Sequence, residues 1–343
     1  NNNAWPRSPG QPQQGSGMSQ QSARPLNPVP EEFVGDSLGQ TLKRAFHATR
    51  PKFFPASALP VIVGSAWGAY ASGQFGVYVF VLALLATVCV HAASNVLNDV
   101  GDESIGTDAR NELRIYPYTG GSRFIQTGIL SQQRMASLGI TLIVIAAFAG
   151  LALFVERGPT VITFGLIGIA LGVVYSLGPV KLSSLGLGET AVAIAFGVLP
   201  VTGAAWLQGA AIDSTLILFS IPVSAWVAAI LLINEVPDAE ADGSCGKNTL
   251  PVRLGLRGTA NLYFAIQVVA AGVVTLLAAQ GHLPMLAPLV PVGLLVLAWK
   301  AATGIRGGIE NRETMAQSIE ATLGIHTIGC LWLAGCALFA LWF

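Results

Sequence analysis

Nine runs of mainly apolar residues constrain this chain more than any other feature in it. They fall at roughly 55–72, 76–97, 136–155, 160–177, 188–207, 214–233, 260–279, 284–299 and 321–343. A helix that crosses a bilayer needs about 20 such residues. Gly and Pro interrupt the fifth and eighth runs, which is tolerated where neighbouring helices satisfy the freed backbone groups. The last run carries no charge. Segments of about ten residues with alternating polarity would mark a β-barrel, and these long continuous runs do not. Composition agrees: 52% of residues are hydrophobic and only 10% charged, against about 25% charged in a soluble domain. That excludes an ordinary water-soluble enzyme and a disordered chain. The same scarcity of charge excludes a basic nucleic-acid binder; the 18 Lys+Arg and 18 Asp+Glu cancel, so only their positions can inform on partners. The expected class is all-α: a polytopic membrane protein with nine transmembrane helices.

Residues 1–40 differ in kind. Asn, Gln, Pro, Ser and Gly dominate them, and such a stretch cannot bury a core. It is expected to be a disordered N-terminal tail, in which Gly15-Ser16-Gly17 reads as a linker ahead of Met18, with residues 41–343 as one membrane domain. No apolar run precedes residue 55, so no cleavable signal segment is expected. Cys89, Cys245, Cys330 and Cys336 show neither metal-ligand spacing nor a disulfide framework. The cations are placed unevenly. Of the 18 Lys and Arg, only Arg157 falls on the side opposite the N-terminus, leaving 17 on the near side. The positive-inside rule then puts the N-terminus in the cytoplasm and the C-terminus outside.

Two long acidic loops lie on that cytoplasmic side. The first, after the second run, contains Asn95, Asn98, Asp99, Asp102, Glu103 and Asp108. Asn95, Asp99 and Asp102 are spaced i, i+4, i+7, one face of a helix. The second, after the sixth run, contains Asn234, Glu235, Asp238, Glu240 and Asp242, with Asp238 and Asp242 spaced i, i+4. Carboxylates this close repel unless a cation or a proton compensates. Oxygen ligands of this kind suit Mg²⁺, which takes one or two protein carboxylates and completes its shell with water and phosphate oxygens. Two clusters can flank a diphosphate, and Arg114, Arg123, Lys247 and Arg253 follow them as donors for it. Solvated surface loops and an ion-transport site are the alternatives. A transporter would place its acids mid-helix, whereas here Glu189 is the main acid within a run.

With these motifs the region from about residue 48 to 343 resembles the UbiA superfamily of intramembrane prenyltransferases. Asn98-Asp99-Val-Gly-Asp102 matches its first acidic motif, and Asp238 to Asp242 its second. Gly246-Lys247 through Arg253, Arg50-Pro51-Lys52 and Tyr175-Ser-Leu-Gly178-Pro179 are also similar to the family. Several features resemble the branch that prenylates 1,4-dihydroxy-2-naphthoate: the Arg50-Pro-Lys opening, the long form of the first motif, Leu185-Gly-Leu-Gly-Glu189 and Tyr118 to Gln126. The second motif departs from the commoner form, because Val236-Pro237 precedes Asp238 where an Arg is more usual.

The resemblance implies helices around a central cavity and Mg²⁺-dependent transfer of a prenyl chain from a prenyl diphosphate to an aromatic acid. The acceptor it implies is 1,4-dihydroxy-2-naphthoate, decarboxylated in menaquinone synthesis, with 4-hydroxybenzoate or homogentisate as alternatives. It implies Asn95, Asn98, Asp99, Asp102, Asp238 and Asp242 as metal ligands, the four aspartates being catalytic. The expected location is the inner membrane, with the site facing the cytoplasm. Arg123, Lys247 and Arg253 are candidates for diphosphate contact or for topological cations. Lys52 is a candidate for substrate or for lipid headgroups. Tyr175 is a candidate to shield a carbocation with its ring or to sit at the interface as an aromatic anchor. Glu189 is a candidate acceptor-binding acid or a helix-start acid favoured by the dipole. His91, one turn before Asn95, is expected to bond a neighbouring helix.

Overall fold

A computed structural model describes residues 25, 27–105, 114–176 and 181–340, without the side chains of Asp102, Ser104, Ile105 and Ser176. Helices follow one another throughout, and the described residues form no strand. An amphipathic helix α1 (Leu38–Ala48) leads into α2 (Pro55–Ser72), α3 (Val77–Ile105), α4 (Gln132–Arg157) and α5 (Thr160–Ser176). Then come α6 (Gly188–Leu207), α7 (Ser214–Asn234), a short α8 (Ala239–Ser244), α9 (Leu250–Ala279), α10 (Leu289–Gly307) and α11 (Arg312–Phe339). Each apolar run is thus a helix. Eight are long and apolar enough to cross a membrane, and α5 is a shorter apolar helix between them.

The helix starts are written in polar residues. Ser131 Oγ accepts the Arg134 N–H ahead of α4, Asp213 the Leu216 N–H ahead of α7, and Asn311 Oδ1 the Thr314 N–H ahead of α11. Each cap satisfies one of the N–H groups that a helix start leaves open. α2 opens on Pro55 and stops at Gly73, whose φ of 68° few residues but Gly adopt cheaply. Several helices outrun their apolar segments. α9 begins ten residues before 260 and bends at Gly255, where φ is 64° and ψ 178°. α11 begins at Arg312 rather than at 321. α10 starts at Leu289, after Pro284 and Pro288, and runs on through Lys300 and Arg306. Hydropathy marks what lies in lipid, not where the backbone stops coiling. α1 likewise begins at Leu38, inside the stretch assigned to the tail.

α2 and α7 form the buried middle of the bundle; α2 packs on α3, α6 and α11, and α7 on α6, α9 and α11. α3–α4 and α9–α10–α11 pair as neighbours around them. The outer helices show apolar side chains to the surroundings, among them Ile140, Phe148 and Val155 on α4 and Leu166 and Ile169 on α5. Lipid tails are as apolar as these residues, so helices associate in a bilayer by close packing over small residues. Gly64 and Gly68 do this where α2 meets α6. A methyl on Gly68 would lie 2.6 Å from Ala205 O and 2.6 Å from Gln208 Cβ. Gly197 of α6 backs directly onto Ser224 of α7, and Gly329 of α11 onto the Trp226 ring.

α6 is irregular. Residues Ala193–Val198 form a π-helical turn, in which Leu199 N–H donates to Ile194 O, five residues back. Pro200 has no N–H for the carbonyl of Phe196, and the wider turn accommodates that gap. The bulge turns Val192 and Phe196 toward the interior cavity.

Candidate active site

Where α3 and α7 end, the bundle opens into a cavity of about 490 Å³. Its inner wall is apolar: Val192 and Phe196 on α6 and Val227, Ile230 and Leu231 on α7. Its mouth is polar: Arg50 before α2, Asn95 on α3, Asn234 and Glu235 closing α7, then Asp238, Asp242 and Lys247 around α8. The loop Tyr118–Gly121 and Tyr175 complete it. Val227 lies two turns deeper on α7 than Asn234, so one cavity joins a greasy interior to an ionic rim.

Asp238 and Asp242 project from the short turn of helix that α7 gives way to after Pro237. Lys247 Nζ is 2.9 Å from Asp242 Oδ1, and Lys247 N–H donates to Asp242 O, which folds the 242–247 loop back over the acid. Glu235 is the most perturbed of these acids: its pKa is pushed up to about 10, first by burial and then by Glu189, Asp242 and Asp238. Its carboxyl lies against the backbone of Gly188; a methyl there would be 3.6 Å from Glu235 Oε1. Asn234 Oδ1 and Glu235 Oε2 are buried without a hydrogen-bond partner.

On the opposite wall, Asn95 Nδ2 donates to Thr49 O at 3.1 Å. This fixes the amide and ties α3 to the turn after α1. His91 Nδ1 is 2.9 Å from Ser57 Oγ on α2, as expected, but the ring also lines the cavity. Arg50 sits in left-handed backbone (φ 58°). Its Nη2 donates to Tyr118 O at 2.9 Å, and its guanidinium lies 5.0 Å from the Phe53 ring centre. Gly120 and Gly121 both have positive φ, 73° and 74°, which brings loop backbone to the cavity rim. Tyr118 OH donates to Glu320 Oε1 on α11 at 2.9 Å, holding that loop against the bundle.

The structure therefore brings together Asn95, Tyr175, Asp238, Asp242 and Lys247. It places Asp99 one turn further on, buried, with Oδ2 accepting the Ser122 N–H at 2.9 Å. Asn98 is exposed on α3, and the Asp102 side chain and Asp108 lie outside the described residues. Arg123 is buried behind the loop, also in left-handed backbone (φ 63°). Lys52 Nζ lies 5.0 Å from the ring centre of the cavity-lining Tyr118 but does not itself line the cavity. Arg253 is exposed beside Gly186, in the turn leading to α6. Glu189 is buried directly behind Glu235. Arg50, Asn234 and Glu235 gained weight from the structure: the sequence showed their types and positions, but not that they line one cavity. Among the described residues, no three His, Cys, Asp or Glu side chains converge as a ready metal cage.

Comparison with known proteins agrees with this architecture. Residues 57–312 match the model of the UbiA prenyltransferase family. A 1,4-dihydroxy-2-naphthoate octaprenyltransferase of Haemophilus influenzae is 35% identical over 226 residues, covering 64% of this chain and 71% of that protein. The Mycobacterium tuberculosis protein of the same name is 30% identical over 266 residues, covering 77% and 86%. Among solved structures, a UbiA homolog from Archaeoglobus fulgidus bound to DMAPP and Mg²⁺ superposes with a TM-score of 0.59 at 15% identity, over 83% of this chain and 99% of that one. The helical bundle, its apolar spans and the family match make the chain a membrane prenyltransferase of the UbiA family.

Proposed function

We propose that this enzyme transfers a prenyl chain from a prenyl diphosphate to 1,4-dihydroxy-2-naphthoate, with loss of the acceptor's carboxylate as CO₂, in menaquinone synthesis. The observation that carries the reading is the cavity itself, apolar at depth and ionic at its rim. A prenyl diphosphate has the same polarity along its length. The H. influenzae and M. tuberculosis relatives bear the name of that reaction.

The donor set fits Mg²⁺. Asp238, Asp242 and Asn95 offer hard oxygens around one cavity, and Asn234 Oδ1 there is buried without a partner. Mg²⁺ needs only one or two protein carboxylates when phosphate and water supply the rest, so a three-acid cage is not required. Asp238 and Asp242 would hold one ion, and Asn95 with Asn98, Asp99 and Asp102 a second. Bound there, the metal neutralises charge developing on the departing diphosphate. The protein's own part is positional. Lys247 and Arg50 place cations at the rim, where diphosphate oxygens accept charge-assisted hydrogen bonds. Val192, Phe196, Val227 and Ile230 receive the first prenyl units and exclude water from the allylic carbon. The Tyr175 ring offers its face to positive charge at that carbon. Arg123, buried behind the rim loop, and Arg253, beside Gly186, stand outside the cavity lining.

The site faces the cytoplasm of an inner membrane in this reading. Arg157 ends α4 at the far side, whereas the cations of the cavity rim and the starts of α2, α9 and α11 share the near one.

The test is one assay of purified protein with prenyl diphosphates of several lengths, with or without EDTA. The offered rings are dihydroxynaphthoate, 4-hydroxybenzoate and homogentisate. The expected product is prenylated naphthol lacking one CO₂, formed only with a divalent cation; product from another ring alone would replace the acceptor.

Two expectations follow from the rim. Lys247 is half exposed, so its ion pair adds less than about 1 kcal/mol to stability. Lys247→Ala should leave the melting temperature nearly unchanged yet raise the KM for prenyl diphosphate about 10-fold. Gly120→Ala forces a Cβ into left-handed backbone, with the new methyl 3.0 Å from Arg114 Cδ. That costs about 1–2 kcal/mol and should loosen the loop, seen as a lower melting temperature together with weaker substrate binding.

A further inference from the structure

Glu189 and Glu235 form a buried carboxyl pair that the diphosphate chemistry does not use. Glu189 is 5% exposed, and among the described residues no donor reaches either of its oxygens. Glu235 Oε2 is equally without a donor, while the residue lines the cavity. The two carboxyls stand next to each other: Glu235 lies against the Gly188 backbone, one residue from Glu189. A buried acceptor left unbonded costs roughly 1–3 kcal/mol, so Glu235 Oε2, carried by a residue of the cavity wall and backed by Glu189, is placed for a ligand that donates.

What surrounds the pair selects among donors. Beside the pair stands Leu231, whose Cδ2 would be 3.5 Å from a methyl on Gly188, and the Tyr175 ring also lines the cavity, apolar surface suited to a flat aromatic body. The rim cations lie on other elements, Lys247 after α8 and Arg50 before α2. A phosphate would be repelled by the pair, whereas a phenol O–H is a donor on a flat ring.

We propose that Glu235, held in place by Glu189 behind it, is the seat for a ring hydroxyl of the aromatic acceptor, which donates its O–H to the Glu235 carboxyl and is thereby oriented toward the prenyl chain. This rests on the proposed function above. It assigns acceptor selection to the start of α6 and the end of α7, and diphosphate binding to α8 and α3. A ring without the hydroxyl leaves the carboxyl oxygens unbonded, and a site built for a hydroxyl discriminates strongly against the analogue lacking it.

The test uses the full-length enzyme in detergent or vesicles with Mg²⁺. KM and kcat are measured separately for acceptor and prenyl diphosphate in the native enzyme, Glu189→Gln and Glu235→Gln. Each is also assayed with an acceptor lacking one hydroxyl. The expected result is an acceptor KM raised about 10-fold or more in the variants, with the prenyl diphosphate KM and the Mg²⁺ requirement unchanged. The native enzyme should reject the deoxy acceptor, and the variants should lose that discrimination. If Glu189→Gln does not fold, the cavity-lining Glu235→Gln carries the test alone. An unchanged acceptor KM in a folded variant overturns the proposal, as does an equal rise in the KM for prenyl diphosphate or in the Mg²⁺ requirement. A native enzyme that turns over no ring acceptor overturns the proposed function and this assignment together; an active native enzyme with indifferent variants overturns this assignment alone.

Discussion

Asp238→Asn should lower prenyl transfer by about 100-fold or more while the protein keeps its fold and its melting temperature. The asymmetry follows from the site's electrostatics. Asp238 and Asp242 sit on one short helix beside Glu235, and both help to raise the Glu235 pKa, behind burial and Glu189. Crowded negative charge of this kind opposes folding when no metal is present. Neutralising one member relieves repulsion, so the stability change should be zero or slightly favourable. The rate falls because the ligand for the diphosphate's counter-ion is gone. Initial rates at saturating Mg²⁺, set beside thermal unfolding of the same sample, give both numbers. A variant that turns over near the native rate would remove Asp238 from the metal site.

Gly64→Leu should have the opposite character, destroying the protein rather than its chemistry. Any Cβ at this position runs into the Val201 backbone, with Val201 Cα only 2.8 Å away. Backbone cannot swing aside as a flexible side chain can, so α2 and α6 must part. Overpacking of this kind costs about 3 kcal/mol or more where no relaxation is open, and here it strikes one of the two most buried helices. The expected result is aggregated or unfolded material by size exclusion and a large fall in melting temperature. Gly293→Ala on α10 is the matched control, because nothing lies within 4 Å of its new methyl. Alanine is the better helix former by up to about 1 kcal/mol, so this variant should be neutral or more stable. If Gly64→Leu purified as a stable, active protein, the close crossing of α2 and α6 would be wrong.

The helices were legible because the bilayer filters composition so strongly: an apolar run of the right length has few other uses. Their ends were less legible, since α9 and α11 continue as polar turns that hydropathy does not register. The second acidic motif was legible as a pair of neighbours, because Asp238 and Asp242, four residues apart, stand on one helical turn and both line the cavity. The first was only partly so. Four residues advance a helix by a little more than one turn. Asp99 therefore lies one turn beyond Asn95, where a loop N–H takes its carboxylate. Arg50 illustrates the limit most clearly. Its charge was visible, but its left-handed backbone and its bond to Tyr118 O depend on chain folded 68 residues away. Glu189 and Glu235, 46 positions apart in sequence, become a pair only when α6 meets α7.

The contact between α2 and α11 has a consequence for how the enzyme is made. These are the earliest and latest of the described bilayer helices to leave the ribosome, and they lie side by side. The loop that borders the cavity takes its Tyr118 anchor from Glu320 on α11. Until α11 inserts, α2 lacks that neighbour and the rim loop lacks its Tyr118 anchor. Catalytic competence should therefore wait for α11, so that a chain made only as far as α10 cannot split a prenyl diphosphate before it can complete the transfer.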